Sequence, residues 1–440
     1  MLRPELFSVA PLMAYTDRHF RFMFRLLSRH ATLYTEMVAA PALYHKQSPM
    51  GGNLGDGSAW PGSRVDRWLR ILPSSLSSAS SASSASSTTP SSPVADGPTV
   101  LQLGGFDADH LAAGTRMAVA YGYDAVNLNV GCPSPRVAGR GNFGAALMKE
   151  PETVAMLTRA MIEAADGGIA VTVKCRTGVD DMDTPEHLSR FVGGIAEAGV
   201  RRVVVHARKA YLNGLSPAEN RTVPPLNHDR VFDLCREFPE MDIILNGGIE
   251  SPEQASALMA RGGIAGCMVG RGVLERPMAW STVDADLFDR PPSECAMGGT
   301  VDSLAVLGAY GEYAAQEAEE AGTPTRRLVK PLLNLFAGAY NGKAFRKRAD
   351  RLMALKGRDL VPVGVIIADL AQFMKEHGEE PAAESRVGGA GGGAGGGAEG
   401  AVGEGGAVGA VGWTEGHGQP STISGGGVEE GEESDQAAHA

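Results

Sequence analysis

The sequence predicts an α/β chain whose core is a closed (β/α)8 TIM barrel, followed by a small all-helical C-terminal domain. Three observations carry that expectation. Eight short β-branched or apolar runs recur along the first two thirds of the 440-residue chain. Each is followed by turn formers and then by a stretch of helical period. No GxGxxG follows the first run, which removes the main support for an open doubly wound sheet.

In order, the runs are "LFSVAPL" (6–12), "ATLYTEM" (31–37), "TVLQLGG" (99–105), "DAVNLNVGCP" (124–133), "IAVTVKCRTG" (169–178), "RRVVVHAR" (201–208), "MDIILNGGI" (241–249) and "AGCMVGRG" (265–272). Helices lie between them. "PETVAMLTRAMIEAA" (151–165) opens with Pro and an acid, and "SPEQASALMARGG" (251–263) offers a Ser cap, then Pro, then Gly past its last turn. Strand and helix alternating in this way imply parallel strands joined by right-handed crossovers. The repeat ends near Pro277, and "VDSLAVLGAYGEYAAQEAEEAG" (301–322) begins a helical region.

Two segments fall outside this pattern. Residues 51–98 are expected to be a flexible insert, Ser-rich in "SSLSSASSASSASSTTPSSP" (74–93), and residues 378–440 a disordered acidic Gly-rich tail. The domain plan is therefore a barrel over 1–290 carrying the insert, helices over 300–377, and the tail.

The formal charge of −11 is misleading until it is located. The tail holds eleven acidic residues and one Arg, net −10, leaving −1 on residues 1–377. Within those, Arg326 to Arg358 carries ten Lys or Arg against one Asp. Such a basic window is the footprint of a polyanion partner, with a solvated helical face as its plainer reading. Five cysteines (132, 175, 235, 267, 295) without a CxxC pair argue against a disulfide framework and a zinc site, and fit a reducing compartment. No apolar run approaches the ~20 residues of a membrane span, and no leader is evident. The expected setting is cytoplasmic, with an organellar one left open.

In a barrel, chemistry belongs at the C-terminal strand ends. There the sequence places Gln102, Asn127, Asn129, Cys132, Lys174, Arg176, His206, Arg208, Asn246 and Arg271. "NGGI" (246–249) and "VGRG" (269–272) set glycines where backbone N–H groups can approach a phosphate, the plainer reading being tight turns. FMN fits one phosphate pocket surrounded by Gln, Lys and His donors, with Lys174 stabilising negative charge on the reduced ring. Cys132, between Gly131 and Pro133, would be protonated at neutral pH and able to act as a general acid. A nucleophile and a buried spectator remain open for it at this point.

"SVAPLMAYTDRHFR", "LYTEM", "LQLGG", "VNLNVGCPSPRV", "FGAALM", "VTVKCRTGVDD", "HARKAYLNGLSPAENR", "PPLNHDRV", "LNGGI" and "MVGR" together resemble the tRNA-dihydrouridine synthases, most closely the A type, from about residue 6 to residue 350. The resemblance implies an FMN-bound barrel that reduces the C5=C6 bond of uridine in the tRNA D-loop, at positions 20 and 20a, with NADPH as electron donor. It implies a flavin site of Pro11, Leu12, Met13, Gln102, Lys174, His206, Asn246, Gly247, Gly248, Gly270 and Arg271. Asn129 would face a flipped uracil, and Cys132 would protonate its C5. Arg221, Arg326, Arg327 and Lys330 would contact the tRNA around its D-loop and elbow. The resemblance is to monomers needing neither membrane nor metal. Ala14 departs from the pattern, standing where an acidic residue is expected. Two other functions remain: an FMN-dependent small-molecule reductase of the dihydroorotate dehydrogenase kind, and a noncatalytic tRNA-binding protein. The basic window disfavours the first. Intact Cys132, Lys174 and His206 disfavour the second.

Overall fold

The structure is a computed structural model that describes residues 4–45, 69, 97–135, 137, 143–355 and 361–379. The expectations for the insert and the tail lie outside the described residues, apart from Leu69, Gly97 and Pro98 in the first and Gly378 and Glu379 in the second.

Eight parallel strands close into one barrel in sequence order. They are β1 (Phe7–Val9), β2 (Thr32–Ala39), β3 (Thr99–Gly104), β4 (Ala125–Asn129), β5 (Ala170–Arg176), β6 (Arg202–His206), β7 (Asp242–Asn246) and β8 (Gly266–Val269). β1 closes the ring by pairing Val9 with Val269. Helices α1 (Arg18–Arg25), α2 (Ala40–His45), α3 (Ala108–Ala120), α4 (Pro151–Ala165), α5 (Pro185–Glu197), α6 (His228–Glu237) and α7 (Pro252–Ala260) return the chain between strands. The cap chemistry accounts for their starts: Asp17, Asp107, Thr184, Asn227 and Ser251 each accept a first-turn N–H.

The two-residue period of the strands sorts side chains into layers. Ala10, Tyr34, Val100, Ala125, Val204, Ile244 and Met268 form a small inner cluster, while the large outer cluster joins strands to helices. Two residues further along, the inner positions turn polar: Gln102, Asn127, Lys174, His206 and Asn246. The inside of the barrel thus changes from apolar to polar toward its C-terminal mouth. At the opposite end Glu5 accepts from Tyr34 Oη (3.0 Å) and Arg202 Nη1 (3.1 Å), and Arg202 also reaches Asp242 (2.8 Å), a closed ionic network that plugs the bottom.

Beyond the barrel come the short α8 (Arg271–Glu275) and α9 (Val283–Asp286), then α10 (Ser303–Ala321), α11 (Thr325–Val329), α12 (Gly342–Met353) and α13 (Val363–His377). Within the described residues, barrel and helices form one compact unit. The seam is specific. Arg18 pairs with Glu317 (2.7 Å), His19 Nδ1 bonds Tyr313 Oη (2.6 Å), and Phe22 stacks on Tyr313 with ring centroids 3.9 Å apart. Asp284, 1% exposed, accepts from Ser28 Oγ and from the N–H groups of Arg29, His30 and Ala296, tying the α1–β2 turn to the segment that leaves the barrel.

Candidate active site at the C-terminal mouth of the barrel

Cys132 lies three residues past β4, and its backbone is held on every side. Asn129 Oδ1 accepts from the N–H groups of Gly131 and Cys132, both at 3.0 Å. The Cys132 carbonyl accepts from Ala145 N–H at 2.9 Å. Gly144, with φ of 68°, makes that approach possible, since a Cβ there would stand 2.6 Å from the same carbonyl. Burial pushes the thiol above its ordinary range, outweighing the Arg176, Arg221 and Lys174 charges that would lower it. The thiol therefore keeps its proton at neutral pH, as a donor requires.

A cationic cluster lines the same mouth. Lys174 Nζ donates to Asn246 Oδ1 at 2.9 Å, and Asn246 is fixed in turn by its amide bond to the Met268 carbonyl at 2.7 Å. Burial, with Arg176 beside it, pulls Lys174 down to about 8. His206 is held well below its usual range by burial and then by Arg176, Lys174, Arg208 and Arg271, so it is neutral at pH 7. Arg176 is lowered to about 10, also chiefly by burial. Such crowding of like charge is unfavourable without an anion, and neither Lys174 nor Arg176 forms an ion pair with a carboxylate among the described residues.

The anion cradle is built by the β7 and β8 loops. Gly247 (φ 110°) and Gly248 (φ 70°) adopt backbone that L side chains avoid. A Cβ on Gly247 would come within 2.6 Å of the His206 ring, and one on Gly248 within 2.4 Å of Leu226. Together with Gly270, Arg271 and Gly272 they line a cavity. Exposed Glu250 and Glu275 share its wall, so backbone donors and Arg271 have to favour an anion against those two carboxylates. His228 Nε2 reaches the Gly247 carbonyl at 2.8 Å and braces this loop from α6. From β1, Leu12 comes close to Gly270, with the position of a Cβ there 3.8 Å from Leu12. Pro11 and Leu12 are half-buried beside it and Met13 is 47% exposed. The glycine cradle, Lys174, His206 and the exposed loop fit a flavin phosphate and ring.

Other sequence-predicted residues take different places. Gln102 is 1% exposed; its amide donates to Asn127 Oδ1 (2.8 Å) and accepts from Asn129 Nδ2 (2.9 Å). Asn127 also donates to Thr172 Oγ1 at 3.0 Å, so it belongs to a buried polar ladder below the mouth rather than to a strand end. Asn129 uses both polar atoms to hold this ladder and the Cys132 turn. Ala14 has φ of 64°, and its N–H donates to Glu36 Oε1 at 2.5 Å. A carboxylate is thus present at that spot, supplied by β2 instead of residue 14.

Two of the basic groups reach this loop from the helical region. Lys330 Nζ donates to the Ala14 carbonyl at 2.6 Å and lies 4.3 Å from the centre of the Tyr15 ring. Arg327 approaches Asp17 at 3.5 Å, Arg326 is exposed on the same helix, and Arg221 is exposed on the 209–221 loop. Sequence reasoning missed Gly144, Ala145, Glu36 and His228. The motifs "FGAALM", "PPLNHDRV" and "LYTEM" contain them without assigning them a role, and nothing local signals a contact between Glu36 and residue 14.

Fold and site define a (β/α)8 barrel whose C-terminal mouth gathers a buried lysine, a thiol and a glycine-lined cavity. The dihydrouridine synthase family model matches residues 8–54 and 76–362. The chain belongs to that family. It is 37% identical over 356 residues to the tRNA-dihydrouridine(20/20a) synthase of Synechocystis sp., covering 80% of this chain and 92% of that one. The protein of that name from Escherichia coli (strain K12) is 36% identical, covering 80% and 88%. That of Xanthomonas axonopodis is 39% identical, covering 77% and 86%.

Proposed function

We propose that the chain is a flavin-dependent tRNA-dihydrouridine synthase that reduces the C5=C6 bond of uridine at positions 20 and 20a of the D-loop, using FMN with NADPH as electron donor. The observation that carries this reading is the Cys132 turn, fixed on the same mouth as the Gly247–Gly248 cradle. The reaction balances as uridine, NADPH and one proton giving dihydrouridine and NADP+. When bound, the flavin supplies hydride chemistry at C6. The residues of this chain do the rest. Cys132 delivers the Sγ proton to C5, and the thiolate left behind is stabilised by Arg176, Arg221 and Lys174 until it is reprotonated. Lys174 and Arg271 offset negative charge on the cofactor, while neutral His206 offers a ring N–H without adding repulsion. The Pro11–Met13 loop walls the site, and Asn129 holds the donor turn beside the uracil. The target base has to leave its stack to arrive here, at a cost of a few kcal/mol that is smallest in a strained loop. Arg221, Arg326, Arg327 and Lys330 neutralise phosphates around the D-loop and elbow.

The test is direct. Purified protein should show an oxidised-flavin spectrum bleached by NADPH, and should place dihydrouridine in tRNA from a synthase-deficient strain, mapped to positions 20 and 20a. A colourless protein, or one that reduces free pyrimidines or enones but leaves tRNA unmodified, would overturn the reading.

A further inference from the structure

Arg176, the last residue of β5, faces the Cys132 thiol as a charge, but its hydrogen bonds serve neither the cradle nor the proton transfer. It is 4% exposed, and its contacts are backbone carbonyls from separate loops. Nε donates to Gly131 O at 2.9 Å; Nη1 donates to Lys209 O at 3.0 Å and to Asn220 O at 2.9 Å. Gly131 immediately precedes Cys132, and Asn220 immediately precedes Arg221.

Both loops are stiff bodies. On one side, Asn129 and Ala145 already hold the Cys132 backbone. On the other, Asn220 is fully buried. Its Oδ1 accepts from Tyr211 N–H at 2.8 Å, and its Nδ2 reaches the carbonyls of Tyr211, Leu215 and Ser216 at 3.0–3.3 Å, closing the 211–220 loop on itself. One planar guanidinium therefore joins two otherwise separate rigid loops. An ammonium, with its donors on a single flexible centre, does not reproduce a fork of that span.

We propose that Arg176 is a positioning residue that sets the separation between the Cys132 thiol and the Arg221 guanidinium. This rests on the functional reading above. A uracil engaged near Arg221 then presents C5 to the thiol, because the two sides of the pocket are held to one frame. A displacement of about 1 Å in such a frame is enough to slow turnover by about 100-fold.

Arg176→Lys and Arg176→Met test the idea, with the rate of flavin bleaching by NADPH as internal reference for reoxidation of the reduced flavin by tRNA. The expected result is an about 100-fold fall in the ratio of reoxidation to bleaching in both variants, expressed in kcat more than in KM. In flavin-free Arg176→Lys, which keeps the charge beside the thiol, alkylation of Cys132 by iodoacetamide should accelerate as its turn loosens. In Arg176→Met the pH profile of that alkylation should also shift, since Lys174, Arg176 and Arg221 are the charges facing the thiol. Asn220→Ala loosens only the far loop, so it should raise KM for tRNA and leave alkylation unchanged. Reoxidation at the wild-type rate, or unchanged alkylation, in Arg176→Lys would overturn the bracket. If wild-type protein shows no reoxidation by tRNA, the functional reading fails, and alkylation alone still decides the positioning role.

Discussion

At the scale of single residues, Cys132 and Lys174 owe their chemistry to burial. The proposed role of the thiol as proton donor depends on desolvation, which keeps it neutral against three nearby cations. Replacing it with Ala should leave flavin binding and NADPH-driven bleaching intact while dihydrouridine formation falls by about 100-fold to 10,000-fold, the range for losing a general acid. Full turnover in Cys132→Ala would remove that role. Lys174 gives a pH test whose sign follows from its depressed value of about 8. Below that pH the flavin-free protein already carries the ammonium, and an anionic ligand binds to it directly. Above it the free protein has lost the proton, and binding has to recover one. FMN affinity should accordingly fall by up to tenfold per pH unit above about 8, and Lys174→Met should flatten that dependence while weakening binding at pH 7. Both residues were legible in the sequence, because strand runs ending in Lys or in Gly-Cys-Pro are unusual for a core. Their hydrogen-bond partners were legible only in part. The pairing of Asn129 with the Cys132 amide is local, whereas that of Ala14 with Glu36 joins two strands and leaves no periodic trace.

At the scale of elements, all eight strand runs correspond to strands of the barrel, because inward and outward residues alternate with a period that apolar patterning exposes. The boundaries were less legible. β1 is three residues long, and β4 ends at Asn129, so the turn that carries Cys132 begins earlier than its apolar run implied. Asn127 read as a strand-end residue, but one step inward along β4 is enough to place it in a buried ladder with Gln102 and Thr172. The glycine loops stood out in the sequence as turns at the ends of β7 and β8, where backbone N–H groups could approach an anion. Their conformation sharpens that expectation. Gly247→Ala forces a Cβ against the His206 ring in left-handed backbone, which costs on the order of 1–3 kcal/mol and tilts the imidazole. The expected outcome is a folded protein with a lowered melting temperature that is purified colourless and binds added FMN at least tenfold more weakly. Unaltered flavin content would place the phosphate elsewhere.

At the scale of the whole molecule, the basic window that stood out against a net charge of −11 becomes, among the described residues, α11 with the turn that carries Lys330 and then α12, and it is from α11 and that turn that Arg327 and Lys330 reach the loop after β1. The seam explains how. Arg18–Glu317, His19–Tyr313 and Phe22–Tyr313 fix α10 on α1, and α11 follows directly, so Lys330 meets the loop that holds Met13 and Tyr15, Arg327 faces Asp17 just past it, and Arg326 stands exposed on the same helix. The two anchoring cations differ in kind from the outermost one. Lys330 is tied to the Ala14 carbonyl and Arg327 faces Asp17, so substituting either would disturb the flavin-side loop along with any RNA contact. Arg326 is exposed and tests the electrostatic footprint more cleanly. Arg326→Ala should weaken tRNA binding several-fold, reduce the slope of log affinity against log salt by about one, and leave flavin content and bleaching by NADPH unchanged. An unchanged slope would move the RNA path away from α11 and toward the later basic helix α12. In that case the charge runs of a sequence would mark a partner's presence without marking where it lies, because only packing decides which part of a basic segment faces the reactive mouth.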